Sequence, residues 1–324
     1  MSEKITKLDL FFVSLAVLVL IFIFSGFWGN GILGDDDLIA GVGQSEKEVI
    51  QIENPFENII IEAKSAVVFD IVGNEFIFEK NSETVRPLAS LTKLMTAFTA
   101  LQNYDFDNLV IINSSDLVPE GDSGLYDNES WSFLDLLEFS LITSSNDGAS
   151  ALASNTGMYL DGLTINPDIG RRVFISEMNK TADKLGMTQS YFLNPTGLDL
   201  ADDRSGSYGT VRDLSLLMTK FLKLYPEVLY KTKYLESTFI SENGFEHLAK
   251  NTNQSLDELP VVLGSKTGFT DLAGGNLVLA FDAGFNRPMI VVVLGSTIEG
   301  RFTDAISLAK AGVRYLQYQA QQQL

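Results

Sequence analysis

The chain contains no cysteine and a single histidine among its 324 residues. Without cysteine there is no thiol nucleophile, no thiolate metal site and no disulfide, and the redox compartment stays open. One imidazole cannot build a multi-histidine zinc site, and a Ser-His-Asp hydrolase would depend on it alone. That residue, His247, stands in the polar string Glu246-His247-Leu248-Ala249-Lys250 with no G-x-S-x-G elbow nearby. The sequence predicts a surface or loop histidine. Basic residues are scarce as well: 23 Lys and Arg against 42 Asp and Glu, a formal net charge of −19. No basic run occurs, which excludes nucleic acid as a partner, because phosphate binding needs clustered positive charge. The acid excess reads as a solubility device. Any catalysis must run on something other than imidazole or thiolate, with no metal and no cofactor expected.

What is present begins with a long apolar run. Leu10 to Trp28 reads LFFVSLAVLVLIFIFSGFW, and no charge falls between Asp9 and Asp35. At about 1.5 Å per residue this makes roughly 28 Å of helix, close to a hydrocarbon core of about 30 Å. Lys4 and Lys7 precede it and Asp35, Asp36 and Asp37 follow, so the N-terminus is expected in the cytoplasm and the remainder outside. The exit, Ser25-Gly26-Phe27-Trp28, makes a poor cleavage site, which favours an uncleaved signal anchor; cleavage near Gly41 is the competing reading. Gly29 to Glu57 holds five glycines and seven acidic residues against one lysine, a flexible linker composition.

The 45% hydrophobic content supports a substantial core in the rest of the chain. Ile59–Ala63, Ala66–Ile71 and Phe76–Phe78 read as strands, the last two joined by the turn Val72-Gly73-Asn74-Glu75. Helix-spaced apolar residues follow: Leu91, Leu94, Met95, Phe98 and Leu101, then Phe133–Ile142 with Ser130 or Ser132 as cap. Further helices are predicted over about 168–185, ending at Gly186, and from Thr210-Val-Arg-Asp213 to Pro226. Strands return at Leu277–Phe281 and Met289–Gly295, before a helix over about 303–318 and a fraying tail, 319–324. The order predicts an α+β domain over 58–318, an antiparallel sheet formed by both chain ends with a helical insertion.

Three short motifs stand in order: Ser90-Leu-Thr-Lys93, Ser144-Ser-Asn146 and Lys266-Thr-Gly268. A serine hydroxyl is a weak nucleophile and needs a base within hydrogen-bond reach. Lys93 lies one turn on from Ser90, at the start of a helix whose free N–H groups suit a developing negative charge. An ordinary lysine, with a pKa of about 10.4, is protonated at neutral pH. Burial and a second cation, for which Lys266 is the obvious source, would free its lone pair. Each motif alone is better read as a helix cap or a strand end. Their agreement in order reverses that reading.

The chain resembles the serine-type D-alanyl-D-alanine carboxypeptidase family, the low-molecular-mass penicillin-binding proteins. Four strings carry the resemblance: Arg86-Pro-Leu-Ala-Ser-Leu-Thr-Lys-Leu-Met-Thr96, Leu141-Ile-Thr-Ser-Ser-Asn-Asp-Gly-Ala149, Phe192-Leu-Asn-Pro-Thr-Gly-Leu198 and Lys266-Thr-Gly-Phe-Thr-Asp-Leu-Ala-Gly274. It covers about Ile59 to Leu316 and implies a DD-peptidase/β-lactamase-like fold. It also implies that Ser90 forms an acyl-enzyme with Lys93 as base, while Ser144 relays a proton to the leaving D-alanine. Asn146 would bind the substrate carbonyl or hold Lys93. Lys266 and Thr267 would receive the terminal carboxylate. The N–H groups of Ser90 and Phe269 would form an oxyanion hole, and Gly268 would leave room for a substrate along the strand edge. The implied partners are peptidoglycan stem peptides ending in D-Ala-D-Ala, β-lactams as inhibitors, and the bacterial cell membrane through the N-terminal helix.

The resemblance has departures. Some members carry arginine between two asparagines upstream of Lys-Thr-Gly, as a further carboxylate contact; here the string is Asn251-Thr252-Asn253. Many members continue into a C-terminal β-domain and an amphipathic helix, a tethering role that the N-terminal anchor is expected to take over. A class A β-lactamase would resemble a Glu-x-x-x-Asn pattern that is missing between Asn146 and Gly264; Glu177 is followed directly by Met178-Asn179. An endopeptidase acting on cross-links is the nearer alternative, and a non-catalytic β-lactam or cell-wall sensor a more distant one.

Overall fold

The computed structural model describes residues 53–258, 261–284 and 286–322. The expected span Leu10–Trp28 and most of the expected linker lie outside the described residues. Among the described residues, no helix is long and apolar enough to cross a membrane. The principal strands are β1 (Ser65–Asp70), β2 (Glu75–Lys80), β3 (Glu236–Ile240), β4 (Glu246–Lys250), β5 (Val262–Thr270), β6 (Gly274–Asp282) and β7 (Pro288–Ser296). The helices are α1 (Thr92–Asn103), α2 (Phe133–Thr143), α3 (Asn146–Asp161), α4 (Pro167–Leu185), α5 (Val211–Leu224), α6 (Pro226–Lys231) and α7 (Gly300–Gln322).

The two ends of the domain build one antiparallel sheet in the order β5-β6-β7-β1-β2, as expected for the α+β class. Val67 pairs with Val292 and Val68 with Val291. Successive strand residues face opposite sides. Val67, Phe69, Val278, Ala280, Ile290 and Val292 therefore join the core beneath the helical insertion. Val68, Leu277, Leu279, Phe281 and Val291 pack instead on Phe302, Ala305, Leu308 and Ala309 of α7. Burial on both faces explains why these strands read as continuous apolar runs rather than alternating ones. Strand β5 is left as an edge, and the helical insertion comes down beside it.

Capping residues set the helix starts as the sequence predicts. Ser132 Oγ accepts from Asp135 N, Thr210 Oγ1 accepts from Asp213 N, and Gly186 at φ +79 closes α4.

Four expectations need correction. Ile59–Ala63 forms no strand, because the N–H groups of Glu62 and Ala63 donate to the Asp304 carboxylate of α7. Phe56, placed in the linker, is buried against Phe78 and Tyr315. Helix α7 continues to Gln322, past Tyr318. His247 is 7% exposed and lies on β4 with Nε2 2.6 Å from Glu129 Oε1, its ring beside Trp131. The hairpin's alternation turns His247 and Ala249 inward and leaves Leu248 outside.

Candidate active site

Ser90 lies in a 3-10 turn, Ala89–Leu91, that runs directly into α1. Ala89 sits at φ +50, a left-handed conformation costing an L-residue about 1–2 kcal/mol. Gly197 at φ +83 packs directly against it, where a Cβ would come within 1.8 Å of the Ala89 carbonyl oxygen. That approach requires glycine.

Lys93 is one turn along and 2% exposed. Its Nζ donates to Asn146 Oδ1 at 2.7 Å and to the Thr196 carbonyl at 2.8 Å, and it lies 2.9 Å from Ser90 Oγ. The Asn146 amide is oriented by its other end, where Nδ2 donates to the Glu120 carbonyl. As an ammonium Lys93 donates to all three; as a neutral amine it can keep the carbonyl and the amide oxygen, which only accept, and turn its lone pair to the serine hydroxyl. Burial pulls the Lys93 ammonium down from 10.5 to about 7, while the Asp147 carboxylate pulls the other way.

The string around Pro195 explains the Thr196 contact. Asn194 Oδ1 accepts from the N–H groups of Thr196 and Gly197, and its Nδ2 donates to the Leu198 carbonyl. This self-bonded turn delivers the Thr196 carbonyl to Lys93 and the Pro195 carbonyl to Thr96 of α1.

Ser144 closes α2 in a left-handed conformation at φ +61, and Ser145 caps α3 by accepting from Gly148 N. The tight corner turns the Ser144 hydroxyl toward β5. Lys266, 1% exposed, donates from Nζ to Ser144 Oγ and to the Thr267 carbonyl, both at 2.8 Å. Burial pushes its ammonium well below the ordinary lysine range, helped by the charges of Lys93 and Arg301. Burial is the leading cause at both lysines, and the repulsion between their charges adds to it.

Thr267 Oγ1 is 2.6 Å from Thr252 Oγ1. The flanking asparagines are structural: Asn251 Nδ2 donates to the Thr232 and Tyr234 carbonyls, and Asn253 Nδ2 to Ser265 Oγ. A Cβ on Gly268 would stand 3.0 Å from the Leu88 carbonyl oxygen and 3.1 Å from Ser90 N. The glycine therefore lets β5 close on the Ser90 turn and keeps that N–H clear. Phe269 follows on the strand, 44% exposed. From α7, Arg301 Nη1 donates to the Gly268 carbonyl at 2.9 Å.

The geometry joins Ser90, Lys93 and Asn146 in one bonded group, and Ser144 with Lys266 in a second, linked by the charges of the two lysines. A profile describing D-alanyl-D-alanine carboxypeptidases matches residues 51–297. The chain belongs to this serine hydrolase family. It is 28% identical over 239 residues to D-alanyl-D-alanine carboxypeptidase DacB2 of Mycobacterium tuberculosis, covering 74% of this chain and 77% of that one. It is 32% identical over 252 residues to a D-alanyl-D-alanine endopeptidase of Escherichia coli, covering 75% and 74%. Penicillin-binding protein D2 of Listeria monocytogenes, solved with cefotaxime bound, superposes with a TM-score of 0.65 at 32% identity, over 79% of this chain and 98% of that one.

Within this D-alanyl-D-alanine carboxypeptidase framework, the sequence reading missed four contributors. The Thr196 carbonyl is a backbone atom, which residue identity does not reveal. Thr252 was noticed only as the absence of an arginine. Arg301 lies 33 residues from the carbonyl it holds. Asp147 was hidden inside a motif whose serine and asparagine drew the chemistry.

Proposed function

We propose that this protein is a penicillin-sensitive serine peptidase that removes the terminal D-alanine from peptidoglycan stem peptides ending in D-Ala-D-Ala. The observation that carries the reading is the bond set of Lys93, whose two acceptor partners leave its lone pair for Ser90. Ser90 Oγ attacks the carbonyl carbon of the penultimate D-alanine as its proton passes to Lys93 Nζ. The N–H groups of Ser90 and Phe269 receive the oxyanion. On collapse the C–N bond breaks, and the leaving D-alanine nitrogen takes the proton from Lys93 through Ser144. Water then attacks the Ser90 ester as Lys93 takes up its proton, Lys93 returns that proton to Ser90 Oγ as the ester C–O bond breaks, and the shortened peptide leaves. Asn146 holds Lys93, Lys266 and Thr267 receive the terminal carboxylate, and Gly268 keeps the strand edge open.

A β-lactam opens on Ser90 by the same first step and stays as a slowly hydrolysed ester. Glu177, the acid weighed against a lactamase motif, is bonded to Lys180 and Lys184 on α4. Endopeptidase action on cross-links is the second reading, favoured by the similarity to the Escherichia coli endopeptidase. Incubation with a synthetic stem pentapeptide and with a cross-linked dimer decides between them: free D-alanine from the first supports the carboxypeptidase, and cleavage of the second alone the endopeptidase. Intact-mass analysis after penicillin should give one adduct, absent in Ser90→Ala; an adduct on Ser144 or Ser145 would overturn the assignment.

The same proposal keeps Leu10–Trp28 as an uncleaved membrane anchor with the peptidase domain outside the cell. The missing small-x-small site supports it. N-terminal sequencing of membrane-derived protein tests this, and a mature start near Gly41 with activity in the soluble fraction would refute it.

A further inference from the structure

Asp147 follows Asn146 in the first turn of α3. Neighbouring helix positions point about 100° apart, so the two side chains diverge. Asn146 reaches Lys93, while Asp147 turns inward, 2% exposed, and its Oδ2 accepts from Ser123 N at 3.1 Å. The other oxygen, Oδ1, is buried with no hydrogen-bond partner. A carboxylate that anchored the loop and did nothing else would not need a second, unsatisfied oxygen at this cost. An anion in such a place is stabilised by a positive charge nearby.

We infer that Asp147 is a positioning residue for the acylation step, its buried carboxylate supporting the ammonium that forms on Lys93 when Ser90 gives up its proton. The inference rests on Lys93 being the base. Proton transfer creates a new cation where water is excluded, and such a cation is unstable without a nearby anion. Asp147 is the carboxylate whose charge acts on Lys93, in the direction that favours the protonated amine. Opposing it across the site is Lys266, itself repelled by Lys93 and by Arg301. On its own side Asp147 faces Asp122 and Asp116, which with burial raise its pKa, while the Ser123 N–H lowers it. Asp116 is paired with Arg171. The base is therefore set between two burdens: burial frees the lone pair, and Asp147 keeps it basic enough to take a hydroxyl proton.

The test is the acylation rate of the full-length protein by a chromogenic cephalosporin, measured from pH 5 to 10. Asp147→Asn retains an oxygen that can accept from Ser123 N and removes only the charge. It should move the midpoint of the rising limb to lower pH by about half a unit or more. Its plateau rate should fall about 2–3-fold for a half-unit shift and up to about tenfold for a full unit, because a weaker base transfers the proton less readily. Asp147→Glu should restore most of both. A wild-type midpoint in Asp147→Asn, with the loss confined to cephalosporin affinity, would reduce Asp147 to a loop anchor and overturn the inference. So would a shared shift in Asn and Glu variants. Thermal unfolding is followed in parallel with Asp147→Ser as a second neutral variant. If both neutral variants fail to fold while Asp147→Glu folds, the charge serves stability and the inference falls. A wild type without a rising limb, together with normal acylation by Lys93→Arg, would sink the Lys93 reading itself, whatever Asp147 does.

Discussion

On the proposed mechanism Lys93 and Ser90 divide one proton between them, and the environment decides who holds it. With burial drawing Lys93 to about 7, a large fraction of the amine is neutral at physiological pH. The acylation rate should therefore rise with pH along a limb centred near 7, far below the value of about 10.4 for a free lysine. Lys93→Arg should abolish acylation although it keeps the charge, since arginine does not deprotonate in a protein. Lys266→Arg should be milder, because donating to Ser144 and to a carboxylate requires hydrogen bonds and not proton transfer. Pre-steady-state acylation kinetics of the two variants across pH separate these roles. Near-normal acylation by Lys93→Arg would refute a lysine base, and His247 offers no replacement, since it is buried against Glu129.

At the scale of elements, the site is a seam between the β5 edge and the start of α1. Gly268 sets how closely the two approach. Gly268→Ala would place a methyl carbon 3.1 Å from Ser90 N, crowding that turn by a few tenths of an ångström and covering one proposed oxyanion donor. Losing one such donor costs about 10²–10³ in rate. Gly268→Ala should lower acylation by about that factor and leave unfolding nearly unchanged, checked by stopped-flow acylation beside thermal melts; a loss below about threefold would mean the strand does not define the hole. The side-chain grouping of this seam was legible in the sequence because Ser90, Lys93, Ser144, Asn146 and Lys266 stand in short motifs that the fold brings into contact. Its backbone half was not. The Thr196 and Gly268 carbonyls that hold Lys93 and Arg301 have no residue signature. The β-branched residues of Ile59–Ala63 suggested a strand, yet Asp304, more than 240 positions away, captures the N–H groups of Glu62 and Ala63. His247 was misplaced because strand alternation, and not local polarity, decides which side faces inward.

At the scale of the whole molecule, the sheet and helical insertion were readable from apolar periodicity, while the energetic conflict inside them was not. Two lysines are almost fully buried in a protein with a net charge of −19, where most cations would find acidic partners at the surface. Function therefore opposes stability at this point. The unfolded chain binds a proton at Lys93 up to about pH 10.5, while the folded state gives it up near 7. Between those values the unfolded state holds more protons, so the wild type loses stability as pH falls from about 10 to 7. Below 7 both states are protonated and the loss is complete. A displacement from 10.5 to about 7 corresponds to at most roughly 5 kcal/mol at ~1.36 kcal/mol per pH unit. Lys93→Met removes this proton linkage while keeping similar bulk. Urea unfolding of both proteins at intervals from pH 6 to 10 should show the wild type gaining on the variant as pH rises. The gap should flatten below about 7. Parallel curves across the whole range would mean that Lys93 keeps an ordinary proton affinity in the folded state, and the amine would then be charged when Ser90 needs a base.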